Sequence, residues 1–168
     1  DTIAYCIRLG FSCNRLTIHL TNHDNQKSLR VMKSISNAKG FPKPTTIPVN
    51  GIELEVFEAG QQNEGKPIVL CHGWPEHAFT WRHQIPSLVN AGYHVIAPNQ
   101  RGYGNSSRPA EVTDYDIVHL TDDLIGLLDH YGYEDATFLG HDWGANVVWS
   151  LAQLPPERVT KLINLALT

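Results

Sequence analysis

The chain has 168 residues, 42% of them apolar, with 13 Lys and Arg against 17 Asp and Glu and a formal charge of −4. That length carries one domain with a real core, and so mild and dispersed a charge excludes nucleic acid or an anionic membrane as an evident partner. No run approaches the roughly 18 apolar residues of a membrane span, and the three cysteines, Cys6, Cys13 and Cys71, form no disulfide framework and fit a reducing cytoplasm.

Residues 1–31 are polar and irregular. Ile3 to Phe11 is apolar but broken by Arg8, with neither a basic lead nor a small-residue cleavage site, so it does not read as a signal peptide. The single methionine, Met32, is a candidate natural start, with 1–31 as upstream translation or a leader; a genuine N-terminal arm is the alternative. The expected division is an extension and linker over 1–45 and a folded unit over 46–168. Gly40 to Pro48, with Pro42, Pro44 and Pro48, reads as a stiff linker. Val49-Asn50-Gly51-Ile52 signals a hairpin, because Asn-Gly suits a two-residue turn that needs positive φ. Ile52, Leu54 and Val56 then alternate with Glu53, Glu55 and Phe57, the period of a half-buried strand. Gln61 to Lys66 is a loop.

Four short apolar runs follow: Ile68–Cys71, His94–Ala97, Thr137–Leu139 and Leu162–Ala166. Continuous rather than alternating apolar residues predict strands covered on both faces, hence a mostly parallel sheet. Helices are predicted between them. Asp114 to Tyr131 places Ile117, Leu120, Leu124, Leu127, Leu128 and Tyr131 at helical spacing, with Gly132 where a C-terminal cap belongs. A second helix is expected from Gly144 to Leu154, stopped by Pro155-Pro156. A shorter one lies around Pro86 to Asn90. The alternation of strands and helices predicts an open α/β sheet with helices on both faces.

Sites in such sheets form at the C-terminal strand edge. Phe138-Leu-Gly-His-Asp-Trp-Gly-Ala-Asn146 holds Gly140-x-Asp142-x-Gly144 between a predicted strand and a predicted helix. A sharp strand-to-helix reversal crowds the central residue, so its neighbours two places either side must be small. Asp142 capping the following helix is the structural alternative. His72-Gly73-Trp74-Pro75 follows the first buried strand and faces the same rim. Its backbone N–H groups offer one half of an oxyanion hole and the N–H of Trp143 the other; a plain Gly-Pro turn is the simpler reading.

From about Thr46 onward the chain resembles the N-terminal half of an α/β-hydrolase of the epoxide hydrolase group. The resemblance rests on HGWPE (72–76), WRHQIP (81–86), GYHVIAP (92–98), QRGYGNSSRP (100–109), YDIVHLTDDL (115–124), GHDWGA (140–145) and PERV (156–159), in order and in spacing. It implies Asp142 as nucleophile, the backbone N–H groups of Trp74 and Trp143 as oxyanion donors, Gly140 and Gly144 as the small residues of the elbow, and His72, Gly73 and Pro75 in the pocket turn, with a cis bond before Pro75. It implies no cofactor and no metal; the histidines show no HExxH or other ligand spacing. Gly102-x-Gly104 lacks the continuation of a phosphate cradle.

The chemistry agrees. A serine must lose a proton before it attacks, whereas an aspartate, with a reference pKa of about 3.9, is charged at neutral pH and can attack saturated carbon directly. The expected reaction opens a small apolar epoxide to a vicinal diol through an ester on Asp142, with water as second substrate, in the cytoplasm. Substrate identity, stereochemistry and oligomeric state are not legible. The family's histidine base, helper acid and two cap tyrosines lie beyond the nucleophile. The fold is therefore expected to be incomplete, without cap and C-terminal strands, and to end at an unpaired apolar strand, Leu162 to Ala166. Tyr103, Tyr115 and Tyr131 do not match the cap positions, and His141 should point away from its neighbour Asp142. The family commonly has an acidic residue where this chain has Asn99, which predicts a less well paired Arg101. Two other readings stand: a dehalogenase using the same Asp, and a truncated fragment or pseudo-enzyme. Haloalkane dehalogenases typically carry Asn in place of Trp74, and fluoroacetate dehalogenases typically carry Arg in place of Trp143.

Overall fold

Neighbouring residues of the central strands feed two cores. Val69 and Cys71 pack on one side of the sheet with Ile96 and Phe138, while Ile68 and Leu70 pack on the other with Val95, Ala97 and Leu139. This is the burial of a sheet covered on both faces, and it explains the unbroken apolar runs. The computed structural model describes residues 4–7, 40–63 and 65–165; the question of a start at Met32 lies outside them.

The strands are β1 (Ala4–Ile7), β2 (Pro44–Val49), β3 (Ile52–Ala59), β4 (Pro67–Cys71), β5 (His94–Pro98), β6 (Ala136–His141) and β7 (Val159–Leu165). They form one sheet in the order β1-β7-β6-β4-β5-β3-β2. Only β3 runs against the rest, pairing antiparallel with β2 and β5; the pairs β4–β5, β4–β6, β6–β7 and β1–β7 are parallel. The helices are α1 (Gln84–Asn90), α2 (Ile117–Tyr131) and α3 (Trp143–Leu151). Helices α2 and α3 bury Leu120, Leu124, Leu127, Leu128, Val147, Val148 and Leu151 on one face of the sheet. A 3₁₀ turn over Ala78–His83 and α1 cover the other face with Ala78, Trp81 and Ile85.

Local signals set most boundaries. Asn50 and Gly51 both have positive φ, 46° and 75°, and Val49 pairs with Ile52 across a two-residue turn. Helix α2 starts at Ile117 rather than Asp114, because Asp116 caps it by accepting the His119 N–H at 2.9 Å and a 3₁₀ turn occupies Val112–Tyr115. Gly132 closes it in the left-handed region at φ 73°. Helix α3 ends at Leu151, three residues before the predicted Leu154.

Four expectations need correction. The Pro-rich stretch is partly strand: Pro44 and Pro48 lie in β2, at the edge of the sheet, where a missing N–H is tolerated. Strand β3 is buried on both faces from Leu54 to Phe57, so Glu55 is covered rather than solvent-facing. The strand predicted at 137–139 spans Ala136–His141 and delivers its last residue directly to position 142. Strand β7 does not end the sheet unpaired: Ala4–Ile7 aligns in parallel with Leu162–Leu165, inside the segment expected to be extension.

Candidate active site

The strand ends place three sequence blocks on one rim. Strand β4 lies between β6 and β5, so the residues leaving its C-terminal end, His72 to Pro75, sit between Asp142 after β6 and Asn99-Gln100 after β5. Cys71 is opposite Gly140 across the β4–β6 ladder, which brings the two turns side by side.

Asp142 occupies a backbone conformation that L-residues rarely adopt, φ 51° and ψ −120°. Its surroundings over-determine that shape. Its N–H donates to the Leu165 carbonyl at 3.2 Å, and its own carbonyl accepts the Ala145 N–H at 3.0 Å. A Cβ on Gly140 would lie 2.6 Å from Ala145 Cα, and one on Gly144 would strike the Cys71 and His72 carbonyl oxygens. The two small residues of the G-x-D-x-G pattern are therefore steric necessities here.

The Asp142 carboxylate faces the neighbouring turn. Its Oδ1 accepts the Trp74 N–H at 2.9 Å. The approach is allowed by Gly73, whose Cβ, if present, would lie 2.6 Å from Asp142 Cβ. The bond between Trp74 and Pro75 is cis. Trp143 is the first residue of α3, so its N–H has no acceptor within the helix by position and lies at the helix's positive end. The indole rings of Trp74 and Trp143 are 70% and 44% exposed. They are not core residues; the buried tryptophan is Trp81.

His72 is fully buried and hydrogen-bonded at both nitrogens. Nδ1 lies 2.9 Å from the Gly73 carbonyl, and Nε2 accepts the Gln100 N–H at 3.1 Å. These partners require a neutral ring with the proton on Nδ1. Burial lowers its pKa to about 4, against the smaller opposing effect of the Gly73 carbonyl. The Tyr103 ring packs edge-on against it at 4.8 Å, and burial together with the nearby Asp142 charge pushes the Tyr103 phenol upward. His72 thus orders the turn and presents no surface to a ligand. His141 turns to Glu76, with Nδ1 3.0 Å from Oε2. Among the described residues, no histidine ring is hydrogen-bonded to Asp142.

Arg101 departs from expectation. It is fully paired despite Asn99, because Nε and Nη2 reach both oxygens of Asp123 in α2 at 2.7 and 2.6 Å. Asp123 sits between the apolar positions of α2 and carried no functional signal in sequence. Asn99 has other partners, Ala78 and Glu55.

The family model that describes the alpha/beta hydrolase fold matches residues 66–167. The chain belongs to the α/β-hydrolase fold family. Within it, the sequence groups with epoxide hydrolases. It is 53% identical over 128 residues to Epoxide hydrolase A of Mycobacterium tuberculosis, covering 76% of this chain and 39% of that protein. It is 43% identical over 131 residues to an epoxide hydrolase of Caballeronia sordidicola, covering 78% of this chain and 39% of that one. The crystal structure of Epoxide Hydrolase A from Mycobacterium thermoresistibile superposes with a TM-score of 0.71 at 54% identity, over 73% of this chain and 38% of that chain. This hydrolase-fold chain spans about two-fifths of the length of these relatives. No helix among the described residues is long and apolar enough to cross a membrane.

Proposed function

We propose that the chain carries the alkylating half of an epoxide hydrolase, with Asp142 as nucleophile. The observation that supports this best is the hydrogen bond from the Trp74 N–H to Asp142 Oδ1. It fixes one carboxylate oxygen in the oxyanion hole and leaves the other free to attack. That oxygen forms a C–O bond to a ring carbon of a small apolar epoxide. The strained C–O bond breaks, its electrons remain on the ring oxygen, and that oxygen takes a proton from water to become a hydroxyl. The ester carbonyl oxygen is then the former Oδ1, still facing Trp74. Water attacking the ester carbon would build negative charge on that oxygen, where the N–H groups of Trp74 and Trp143 can stabilise it. Collapse releases the vicinal diol and restores the carboxylate. Trp74 and Trp143 are exposed residues of the two turns that meet at the nucleophile, and their rings are the apolar walls this proposal assigns to the substrate. No step calls for a cofactor or a metal, and the expected compartment is the cytoplasm.

The second half of the cycle needs a base for water. Neither His72, locked in its turn, nor His141, paired with Glu76, is oriented to serve. With no histidine among the described residues hydrogen-bonded to Asp142, residues 1–168 are expected to form the ester without multiple turnovers. Incubation with styrene oxide and, separately, a 1-chloroalkane tests the reading. Stoichiometric protein ester from the oxide with no chloride release is expected. Chloride release without any epoxide adduct would replace this proposal by a dehalogenase.

A further inference from the structure

The turn that carries the Trp74 donor is gripped at both ends by consecutive residues leaving β5. Gln100 holds its start: its backbone N–H donates to His72 Nε2 at 3.1 Å, and its side-chain amide donates to the His72 carbonyl at 2.6 Å. Asn99 holds its end, where Oδ1 accepts the Ala78 N–H at 2.7 Å. His72, Asn99 and Gln100 are all buried, so water does not compete for these bonds.

Behind Asn99 stands Glu55 of β3, also buried. Its carboxylate accepts Asn99 Nδ2 at 2.6 Å, the Asn105 N–H at 2.9 Å and Asn105 Nδ2 at 2.6 Å. The backbones are tied as well: the Asn99 N–H donates to the Glu55 carbonyl at 2.8 Å, and Ser106 Oγ bridges the Glu55 N–H and the Asn99 carbonyl. Gly104 leaves room for the pair, since a Cβ there would overlap Asn99 Nδ2 and Glu55 Oε2.

We propose that Glu55 and Asn99, together with Gln100, are positioning residues that fix the Trp74 amide against Asp142, and that Glu55 is what requires an amide at position 99. The role rests on reading the Trp74 N–H as an oxyanion donor. Asn99 must accept from one side and donate to the other, which its amide does without a proton being added and a carboxylate does not. A carboxylate at 99 would still accept the Ala78 N–H. Toward Glu55, however, two acceptor oxygens would meet with no hydrogen between them, and one carboxyl would have to take up a proton or move away. Moving Asn99 moves Ala78, and with it the turn that ends there. The residues at 55 and 99 are thus coupled: a change at one calls for a change at the other.

Amide hydrogen exchange, followed by NMR on the intact chain at neutral pH, tests this without any epoxide. In Asn99→Asp, the Trp74 and Ala78 amides should exchange at least tenfold faster relative to the Phe138 amide in β6. In the double variant Glu55→Gln/Asn99→Asp, the new amide donates to the new carboxylate, and most of the lost protection should return. Gln100→Ala should release Trp74 while leaving Ala78 protected. The proposal is overturned if Asn99→Asp speeds all three amides by one common factor, which would mark a merely structural role, or if the double variant is no better than the single one. Failure of alkylation at Asp142 would leave this result untouched and would count against the proposed function alone.

Discussion

Trp74 N and Asp142 Oδ1 are 2.9 Å apart, joined across two turns that are 68 residues apart in the chain. The contact exists because Gly73 has no side chain. In Gly73→Ala, the added carbon must displace Asp142, whose Cβ would be 2.6 Å away, or the His141 carbonyl, 2.9 Å away. The expected cost is about 1–3 kcal/mol from overpacking, read as a lowered urea midpoint, together with a slower reaction of Asp142 with styrene oxide. An unchanged reaction rate would show that the turn can retreat without consequence.

The exposed tryptophans should be dispensable for folding. Trp74→Ala removes a residue that is 70% exposed and should shift stability by no more than about 0.5 kcal/mol, whereas Trp143→Ala, at a residue 44% exposed, should cost more than that and less than Trp81→Ala. Trp81→Ala empties a buried site and should cost about 3–5 kcal/mol. Chemical denaturation of the three variants checks the contrast. A large loss for Trp74→Ala would assign that ring a structural role in place of the proposed substrate wall.

The Arg101–Asp123 pair is 2% and 3% exposed and doubly hydrogen-bonded, and Asp123 also accepts Asn50 Nδ2 at 3.1 Å. Removing one partner strands a buried charge, so Asp123→Ala should cost about 3–5 kcal/mol. Replacing both, as Arg101→Met/Asp123→Leu, should cost less than the single change. Equilibrium unfolding of both variants gives the comparison.

His72 supplies a pH dependence of known sign. Burial holds its folded pKa at about 4, below its ordinary value of 6.5. Between those values the unfolded chain binds more protons than the folded one. The contribution of this ring to stability is therefore complete above about pH 6.5, is lost as pH falls through the window, and changes no further below about 4. The whole window is worth at most about 3 kcal/mol. Urea midpoints at pH 7 and 4.5 should fall more for the natural chain than for His72→Asn; equal falls would assign the effect to other groups.

Much of this structure is legible in the residues, for identifiable reasons. The runs at 68–71 and 95–97 are apolar without a break because both cores draw on the same strands. The pair Asn50-Gly51 and the single Gly132 announce left-handed backbone, and the spacing of Gly140 and Gly144 announces a tight elbow. What sequence could not show were partners made by distant contacts. Glu55 reads in sequence as the polar side of a half-buried strand, because the amides that donate to its carboxylate lie 44 and 50 residues away. Asp123 looked like an ordinary helix-surface acid, because Arg101 approaches it from another loop. The strand Ala4–Ile7 was missed because four residues of edge pairing leave no periodic signal.

The proposed nucleophile, Asp142, is the residue that should carry the covalent bond to substrate. Rapid acid quenching of the chain with styrene oxide, followed by proteolysis and peptide mass spectrometry, tests this assignment most directly. An adduct of one epoxide is expected on the peptide containing Asp142, and none in Asp142→Asn. An adduct that persists in that variant, or that maps to another residue such as Glu76 or His141, would contradict it.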